Sequence, residues 1–166
     1  ALVLALLEAD LAVLYADADV AFLRDPWPHL TSYENCAVAL QPNRHDENDV
    51  LGAIVELDRR PGNPRPGKRY YGDVGCSGLA YFPSGRAARR LAAFWEAAAS
   101  AESCGGDQAA LESALARAAY ADEDVDARAL PLALFPNGMA LRTLHGAPAP
   151  EAGTPFGVPP GVVAFH

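Results

Sequence analysis

Two aspartates one residue apart follow an apolar segment near the start of the chain. Asp17 and Asp19 come directly after residues 11–16, which have the pattern of a buried strand. In open α/β folds, ligands bind at the carboxyl edge of the sheet, where such a strand ends. Paired carboxylates bind Mg²⁺ or Mn²⁺, and these ions are commonly shared with substrate phosphates. The pattern predicts a metal–diphosphate site, although an Asp-x-Asp sequence also occurs in ordinary solvated turns.

Three further positions carry polar groups that fit such a site. His166 follows a short apolar run, and imidazole is a competent ligand for Mn²⁺, but a lone histidine there is often incidental. Asp107 and Gln108 begin a predicted helix after two glycines. Their spacing alone favours stabilisation of the helix start, and the alternative is a polar pair facing sugar hydroxyls. Residues 75–78 either let the backbone approach a ligand or form a plain turn.

The elements that must position these residues alternate between helix and strand. The hydrophobic pattern predicts helices at 1–9, 85–99 and 107–118, and strands at 11–16, 20–23, 36–40, 78–82, 127–130 and 162–166. This alternation predicts an α/β fold with a largely parallel sheet. Pro- and Gly-rich segments at about 41–72 and 146–161 predict long loops. Trp27 and Trp95 are expected in the core.

Composition excludes several classes of protein. The chain has 166 residues, 51% of them hydrophobic, and a formal net charge of −8, which supports one folded domain and argues against nucleic-acid binding. Three cysteines without a Cys-x-x-Cys motif argue against a disulfide scaffold and a structural zinc site. The chain starts with alanine inside a helical pattern and ends in a strand pattern, so a partial domain, residues 1–166, is expected.

Taken in order, the motifs resemble the nucleotide-diphospho-sugar transferase family. The nearest branch is that of the plant and algal arabinosyl-, xylosyl- and galactosyltransferases, which act on cell-wall glycans and hydroxyproline-rich glycoproteins. The matching segments are Val13-Leu14-Tyr15-Ala16-Asp17-Ala18-Asp19-Val20, Leu23-Arg24-Asp25-Pro26, Ser77-Gly78-Leu79-Ala80-Tyr81-Phe82, Asp107-Gln108-Ala109-Ala110-Leu111, Leu130-Pro131, Phe135-Pro136-Asn137-Gly138 and Ala164-Phe165-His166.

The resemblance implies a GT-A type, Rossmann-like fold with a mixed, mostly parallel sheet flanked by helices, here without the family's first strand. It implies a glycosyltransferase that takes a sugar from a nucleotide-diphospho-sugar, a UDP-sugar, with Mn²⁺ or Mg²⁺ and retention of configuration. The implied acceptor is a glycan or a hydroxyproline-rich glycoprotein. The implied location is the Golgi lumen, in a type II membrane protein anchored by segments outside this chain.

The resemblance also implies residue roles. Asp17 corresponds to the first aspartate of the family motif, near the ribose and the metal, and Asp19 to the direct metal ligand. His166 corresponds to the histidine that completes the metal shell. Asp107 and Gln108 correspond to the catalytic Asp-Gln pair beside the transferred sugar. The Ser-Gly pair at positions 77 and 78 belongs to the implied donor-binding residues, together with both aspartates of the motif.

Two departures from the family pattern keep another interpretation open. Cys76 and Glu112 stand where the family usually has asparagine, which leaves a non-catalytic domain that binds a sugar nucleotide or glycan. A haloacid-dehalogenase-type phosphatase also ends a strand in Asp-x-Asp. That class usually has Thr or Val two residues after the second aspartate, where this chain has Ala21, and its later lysine and acidic partners have no counterpart at recognisable spacing.

Overall fold

The computed structural model describes residues 1–42, 75–101, 106–120, 126–137 and 161–166. In chain order its elements are α1 (Leu2–Glu8), β1 (Val13–Ala16), β2 (Ala21–Phe22), α2 (Trp27–Leu30), a 3₁₀ turn (Thr31–Tyr33), β3 (Val38–Pro42), β4 (Gly75–Phe82), α3 (Arg86–Ala99), α4 (Asp107–Tyr120), β5 (Ala127–Ala129) and β6 (Ala164–Phe165). The two predicted long loops fall almost entirely outside the described residues. Within the described ranges, none of the helices combines the length and apolarity that a membrane span requires.

The main sheet has four strands in the order β1-β4-β3-β5. Strand β4 pairs antiparallel with both β1 and β3, whereas β3 and β5 pair in parallel. The predicted mixed α/β sheet is confirmed, but the expectation of a mostly parallel sheet needs correction. Three strands share one direction, yet two of the three pairings are antiparallel because β4 is reversed. A strand has the same hydrophobic pattern in either direction, so the sequence pattern carried no signal for the reversal of β4.

Helices cover one face of this sheet. Helix α3 buries Ala88, Leu91, Ala92 and Trp95, which lie one turn apart on a single stripe. With α1 and α4 they pack against the sheet residues Val38, Ala80 and Phe82. Trp95 stacks on Phe82 with ring centroids 5.6 Å apart. The expectation that Trp95 belongs to the core is therefore confirmed.

The opposite face of the sheet is covered by α2 and by residues from the C-terminal part of the chain. Leu30, Phe135 and Val163 are buried there against Leu79. Trp27 contacts the edge of Tyr81 on this side but remains 47% exposed. Its expected core position is wrong because it begins α2, where its backbone N–H donates to the Asp25 side chain and its ring lies at the rim.

A second, two-stranded sheet joins distant parts of the chain. Strands β2 and β6 pair antiparallel, with Ala21 opposite Phe165 and Phe22 opposite Ala164. The backbone N–H of Leu23 extends the pairing by donating to the carbonyl oxygen of Val163 at 2.8 Å. This small sheet fixes the last residue of the chain, His166, beside the turn that follows β1.

Candidate functional site

A tight turn after β1 presents the two aspartates. The backbone N–H of Asp17 donates to the carbonyl oxygen of Gly78 at 2.9 Å, which continues the β1–β4 pairing by one residue. The N–H of Val20 then donates back to the carbonyl oxygen of Asp17 at 3.1 Å. Both carboxylates point to the side where β6 ends. Asp17 is partly buried, whereas the side chain of Asp19 is 77% exposed.

The structure brings Asp17, Asp19 and His166 into one cluster. The imidazole Nε2 lies 3.1 Å from Oδ1 of Asp19 and 3.9 Å from Oδ2 of Asp17. One ligand atom from each residue lies within 4.8 Å of the other two. Metal–ligand distances of about 2.1 Å put neighbouring ligands of an octahedral ion about 3 Å apart and opposite ones about 4 Å apart. Two carboxylates and one imidazole in this spacing fit Mn²⁺, which accepts oxygen and nitrogen ligands.

Two residues of β4 lie directly behind the imidazole. A Cβ atom added to Gly78 would lie 2.7 Å from Nδ1 of His166, closer than real Cβ atoms approach other heavy atoms, and 3.0 Å from Nε2. The glycine therefore makes room for the ring. The Sγ atom of Cys76 lies 3.5 Å from Nδ1 of His166. Burial raises the pKa of the Cys76 thiol.

The start of α4 is tied to β4 by the side chain of Gln108. Its Oε1 accepts a hydrogen bond from the backbone N–H of Ser77 at 2.6 Å, and its Nε2 donates to the carbonyl oxygen of Gly75 at 2.7 Å and to Glu112 at 2.8 Å. The amide is thus engaged with the protein at both ends. We therefore interpret Gln108 as the residue that positions α4.

Asp107 precedes Gln108 and is exposed. Its Oδ2 accepts a hydrogen bond from the hydroxyl of Ser77 at 3.2 Å, and its Oδ1 accepts one from the backbone N–H of Gln108 at 2.9 Å. Its carbonyl oxygen accepts the indole N–H of Trp95 at 3.1 Å. Asp107 is the first residue of α4 and not its N-cap. Its negative charge interacts favourably with the helix dipole. The exposure of its side chain is also compatible with contact to a ligand.

Tyr15 connects the two groups of acidic residues, a role that the sequence reasoning missed. Its hydroxyl lies 3.0 Å from Oδ1 of Asp17 and 3.4 Å from Oδ2 of Asp107. Burial, assisted by these two carboxylates, raises the pKa of Tyr15 to about 12, so the hydroxyl remains a donor. The available signal was strand alternation, because residues two apart on a strand share a face.

A cavity of about 250 Å³ has Asp107 among its lining residues. Its lining is mostly apolar and comes from α1 and α3, with Tyr15, Trp95 and Glu96 among the lining residues. Asp17, Asp19 and His166 do not line it. Tyr15 thus lines this cavity together with Asp107 and also contacts Asp17 of the acidic cluster formed by Asp17, Asp19 and His166.

The fold and site define an α/β domain with a carboxylate–imidazole cluster at a strand end. A profile of the nucleotide-diphospho-sugar transferase family matches residues 1–150, and the chain belongs to that family. No curated protein and no solved structure gives a significant match. The matched segment contains Asp17, Asp19, Asp107 and Gln108, whereas His166 lies beyond it and joins the cluster through the β2–β6 pairing.

Proposed function

We propose that this domain transfers a sugar from a UDP-sugar to a glycan or glycoprotein acceptor, with Mn²⁺ or Mg²⁺ bound by Asp17, Asp19 and His166. Family membership supports the class of reaction. The observation that carries the metal assignment is the convergence of three ligand atoms within 4.8 Å of one another from opposite ends of the chain. Family membership also favours sugar transfer over the phosphatase interpretation.

The site residues divide the chemistry between them in this proposal. A divalent cation, when bound, offsets the negative charge that develops on the departing diphosphate. Asp17, Asp19 and His166 hold that cation at the strand end. The carboxylate of Asp107 steadies the positive charge that develops on the sugar carbon as its bond to the diphosphate breaks.

The neighbouring hydrogen bonds keep these groups in place. Ser77 and Gln108 fix the first turn of α4, so that Asp107 keeps its orientation when substrate binds. Tyr15 shares its one hydroxyl proton between Asp17 at 3.0 Å and Asp107 at 3.4 Å, and it keeps that proton at neutral pH. Positioning of this kind reduces the reorganisation required at the moment of reaction.

The finer features of the proposal come from the family resemblance. They are a GT-A type domain spanning residues 1–166, retention of configuration, a hydroxyproline-rich glycoprotein or cell-wall glycan as acceptor, and residence in the Golgi lumen. The negative net charge of −8 is compatible with a phosphate-bearing donor because a bound cation reverses the local field.

Calorimetric titration of the full chain with UDP, with and without Mn²⁺, tests the proposal. We expect Mn²⁺-dependent binding that Asp19→Ala abolishes, because the most exposed carboxylate of the cluster is lost. Asp10→Asn is the matched control because it also removes one negative charge. Asp10 lies outside the cluster and forms an ion pair with Arg89, with 2.6 Å between Oδ1 and Nη1. Asparagine tolerates the positive φ of 59° found at that position.

The outcomes separate the competing interpretations. Metal-independent binding, or unchanged binding by Asp19→Ala, would contradict the metal assignment. Metal-dependent UDP binding followed by transfer or hydrolysis of a UDP-sugar would support the enzyme. Binding without any turnover of UDP-sugars would instead favour a non-catalytic domain, the interpretation that the departures at Cys76 and Glu112 raise.

A further inference from the structure

The imidazole of His166 is held between two different environments. Its Nε2 faces the carboxylates of Asp19 and Asp17, at 3.1 and 3.9 Å. Its Nδ1 faces the opposite way, toward Sγ of Cys76 at 3.5 Å. The ring itself lies over Gly78, the strand position at which any side chain would collide with it. The imidazole therefore packs with one face against β4, with Nε2 toward the carboxylates and Nδ1 toward the thiol.

The thiol of Cys76 is fixed by the same strand. Its Sγ accepts a hydrogen bond from the backbone N–H of Gly78 at 3.4 Å, and its side chain is only partly exposed. The sulfur is consequently a defined partner for Nδ1 and not a mobile neighbour. Cys76 and His166 are 90 residues apart in the chain, so only the paired strands bring them together.

Metal binding through Nε2 requires the lone pair of that nitrogen. In a neutral imidazole the proton then resides on Nδ1, which must donate it to an acceptor. The sulfur of Cys76 is the neighbour of Nδ1 among the described hydrogen bonds. Hydrogen bonding of the non-ligating nitrogen fixes the tautomer and the ring orientation of a metal-binding histidine.

We propose that Cys76 is a positioning residue for the metal site: its thiol accepts the Nδ1 proton of His166 and thereby directs Nε2 toward the cation. This inference rests on the proposed metal-dependent function. A thiol can also donate a hydrogen bond, so the same contact serves the metal-free state, in which Nε2–H donates to Asp19. The cysteine at this position thus supplies a partner for His166 in both states.

Mn²⁺ titration of the full chain in the absence of donor tests the proposal. We expect Cys76→Ala to weaken Mn²⁺ binding about tenfold, the lower end of the loss caused by removing the partner of a metal-binding histidine. Cys76→Ser should recover most of the affinity because a hydroxyl also accepts from Nδ1. Cys36→Ala is the matched control, since Cys36 is a second free thiol that is buried and donates to the Tyr33 carbonyl oxygen instead.

A second measurement does not depend on affinity or on turnover. Nitrogen-15 NMR of the protein loaded with Zn²⁺, a diamagnetic ion that binds imidazole, should show His166 with its proton on Nδ1 in wild type and in Cys76→Ser. In Cys76→Ala the resonance should shift toward a mixture of tautomers. If Cys76→Ala fails to fold, as judged by circular dichroism, the inference is tested by the Mn²⁺ affinity of Cys76→Ser and by the tautomer of His166 in wild type.

Failure of the inference differs from failure of the proposed function. If Asp19→Ala abolishes Mn²⁺ binding while Cys76→Ala binds with wild-type affinity and tautomer, the metal site stands and the role of Cys76 is overturned. If Asp19→Ala leaves Mn²⁺ binding unchanged, the cation does not bind at this cluster and both proposals fall. A wild-type His166 with its proton on Nε2 in the Zn²⁺-loaded state would also overturn the inference.

Discussion

The acidic cluster and the start of α4 both present carboxylates, but they differ in how the protein already uses them. In the cluster, Asp17, Asp19 and His166 mainly face one another, and the side chain of Asp19 is 77% exposed. At the start of α4, the amide of Gln108 is bound to the backbone of β4 and to Glu112. The first region is open to a cation, and the second is a fixed support that holds Asp107 at the surface.

Among the described residues, one side chain contacts both regions. Tyr15 approaches Asp17 on one side and Asp107 on the other. If the two regions have these separate roles, substitutions in the cluster change cation affinity, and substitutions at the start of α4 change turnover or stability. Tyr15 is the one described residue whose hydroxyl reaches both regions, so its removal should have small effects on each.

Asp107→Asn should produce the largest effect that is confined to one region. We expect turnover to fall by roughly 10²–10³-fold, because in the proposed mechanism this charge steadies the sugar carbon. Mn²⁺ affinity should change little, since Asp107 is no part of the cluster. Steady-state kinetics and calorimetry measure the two quantities. A parallel loss of both would show that the regions act as one unit.

Gly78→Ala should break the cluster without altering any of its ligands. Its new methyl group would collide with the His166 imidazole, so we expect Mn²⁺ affinity to fall about 10–100-fold, as when support of a metal-binding histidine is lost. Gly75→Ala is the matched control in the same strand. Its methyl group would meet the side chain of Leu40 instead, which should destabilise the fold by about 1–3 kcal/mol through overpacking. Equal Mn²⁺ affinities of the two variants would contradict the assignment.

Gln108→Ala should affect stability at the start of α4. The backbone N–H of buried Ser77 loses its acceptor, so we expect a loss of about 1–3 kcal/mol in the free energy of unfolding. Urea denaturation measures this quantity. Glu112→Gln keeps the oxygen that accepts from Gln108 and should stay close to wild type. If Gln108→Ala is as stable as wild type, the hydrogen bonds of Gln108 to β4 do not hold the start of α4 in place.

Tyr15→Phe should have the smallest effect, because the phenyl ring keeps its edge contact with Trp95, whose ring centroid lies 5.4 Å away. Loss of the hydrogen bond to Asp17 should lower Mn²⁺ affinity by roughly twofold to tenfold. Turnover should fall by a similar factor, because the bond to Asp107 is lost as well. A reduction in only one of these quantities would show that the hydroxyl serves one region alone.

The same variant makes a pH test possible in the metal-free protein. The pKa of Tyr15 is raised from 10.0 to about 12 in the folded state, chiefly by burial and then by Asp17. The stability that the protonated hydroxyl contributes is therefore complete below pH 10 and is lost as pH rises from 10 through 12. Wild type should lose stability relative to Tyr15→Phe across this range. Parallel stability profiles would contradict the shift.

Much of the fold was predictable because its elements have strong local patterns. The helices that became α3 and α4 and the strand that became β1 were predicted within a few residues, since each has a continuous apolar stripe or run. The reversed direction of β4 was not predictable, because strand direction depends on the path of the preceding connection. The exposed position of Trp27 was equally hidden, since hydrophobicity alone does not place a residue at a rim.

The residues proposed for the candidate site came from the sequence, whereas most of their contacts came only from the structure. The aspartates were found because they end a buried strand, and His166, Asp107 and Gln108 were found because their motifs occur in the family's order. Tyr15 was missed although it alternates with Asp17, because a tyrosine in a strand is usually a packing residue. The contact of Cys76 with His166 was missed because it joins residues 90 positions apart.

By itself, the sequence determined the family, the Asp-x-Asp turn and the α/β character, because these depend on residue types and on spacings within one segment. Only the tertiary structure decided that His166 completes the acidic cluster, that Gln108 secures α4 and that Cys76 lies behind the imidazole. These contacts depend on the register of β2 with β6 and of β1 with β4. Register between distant strands is set by the packing of the whole domain, which no single segment specifies.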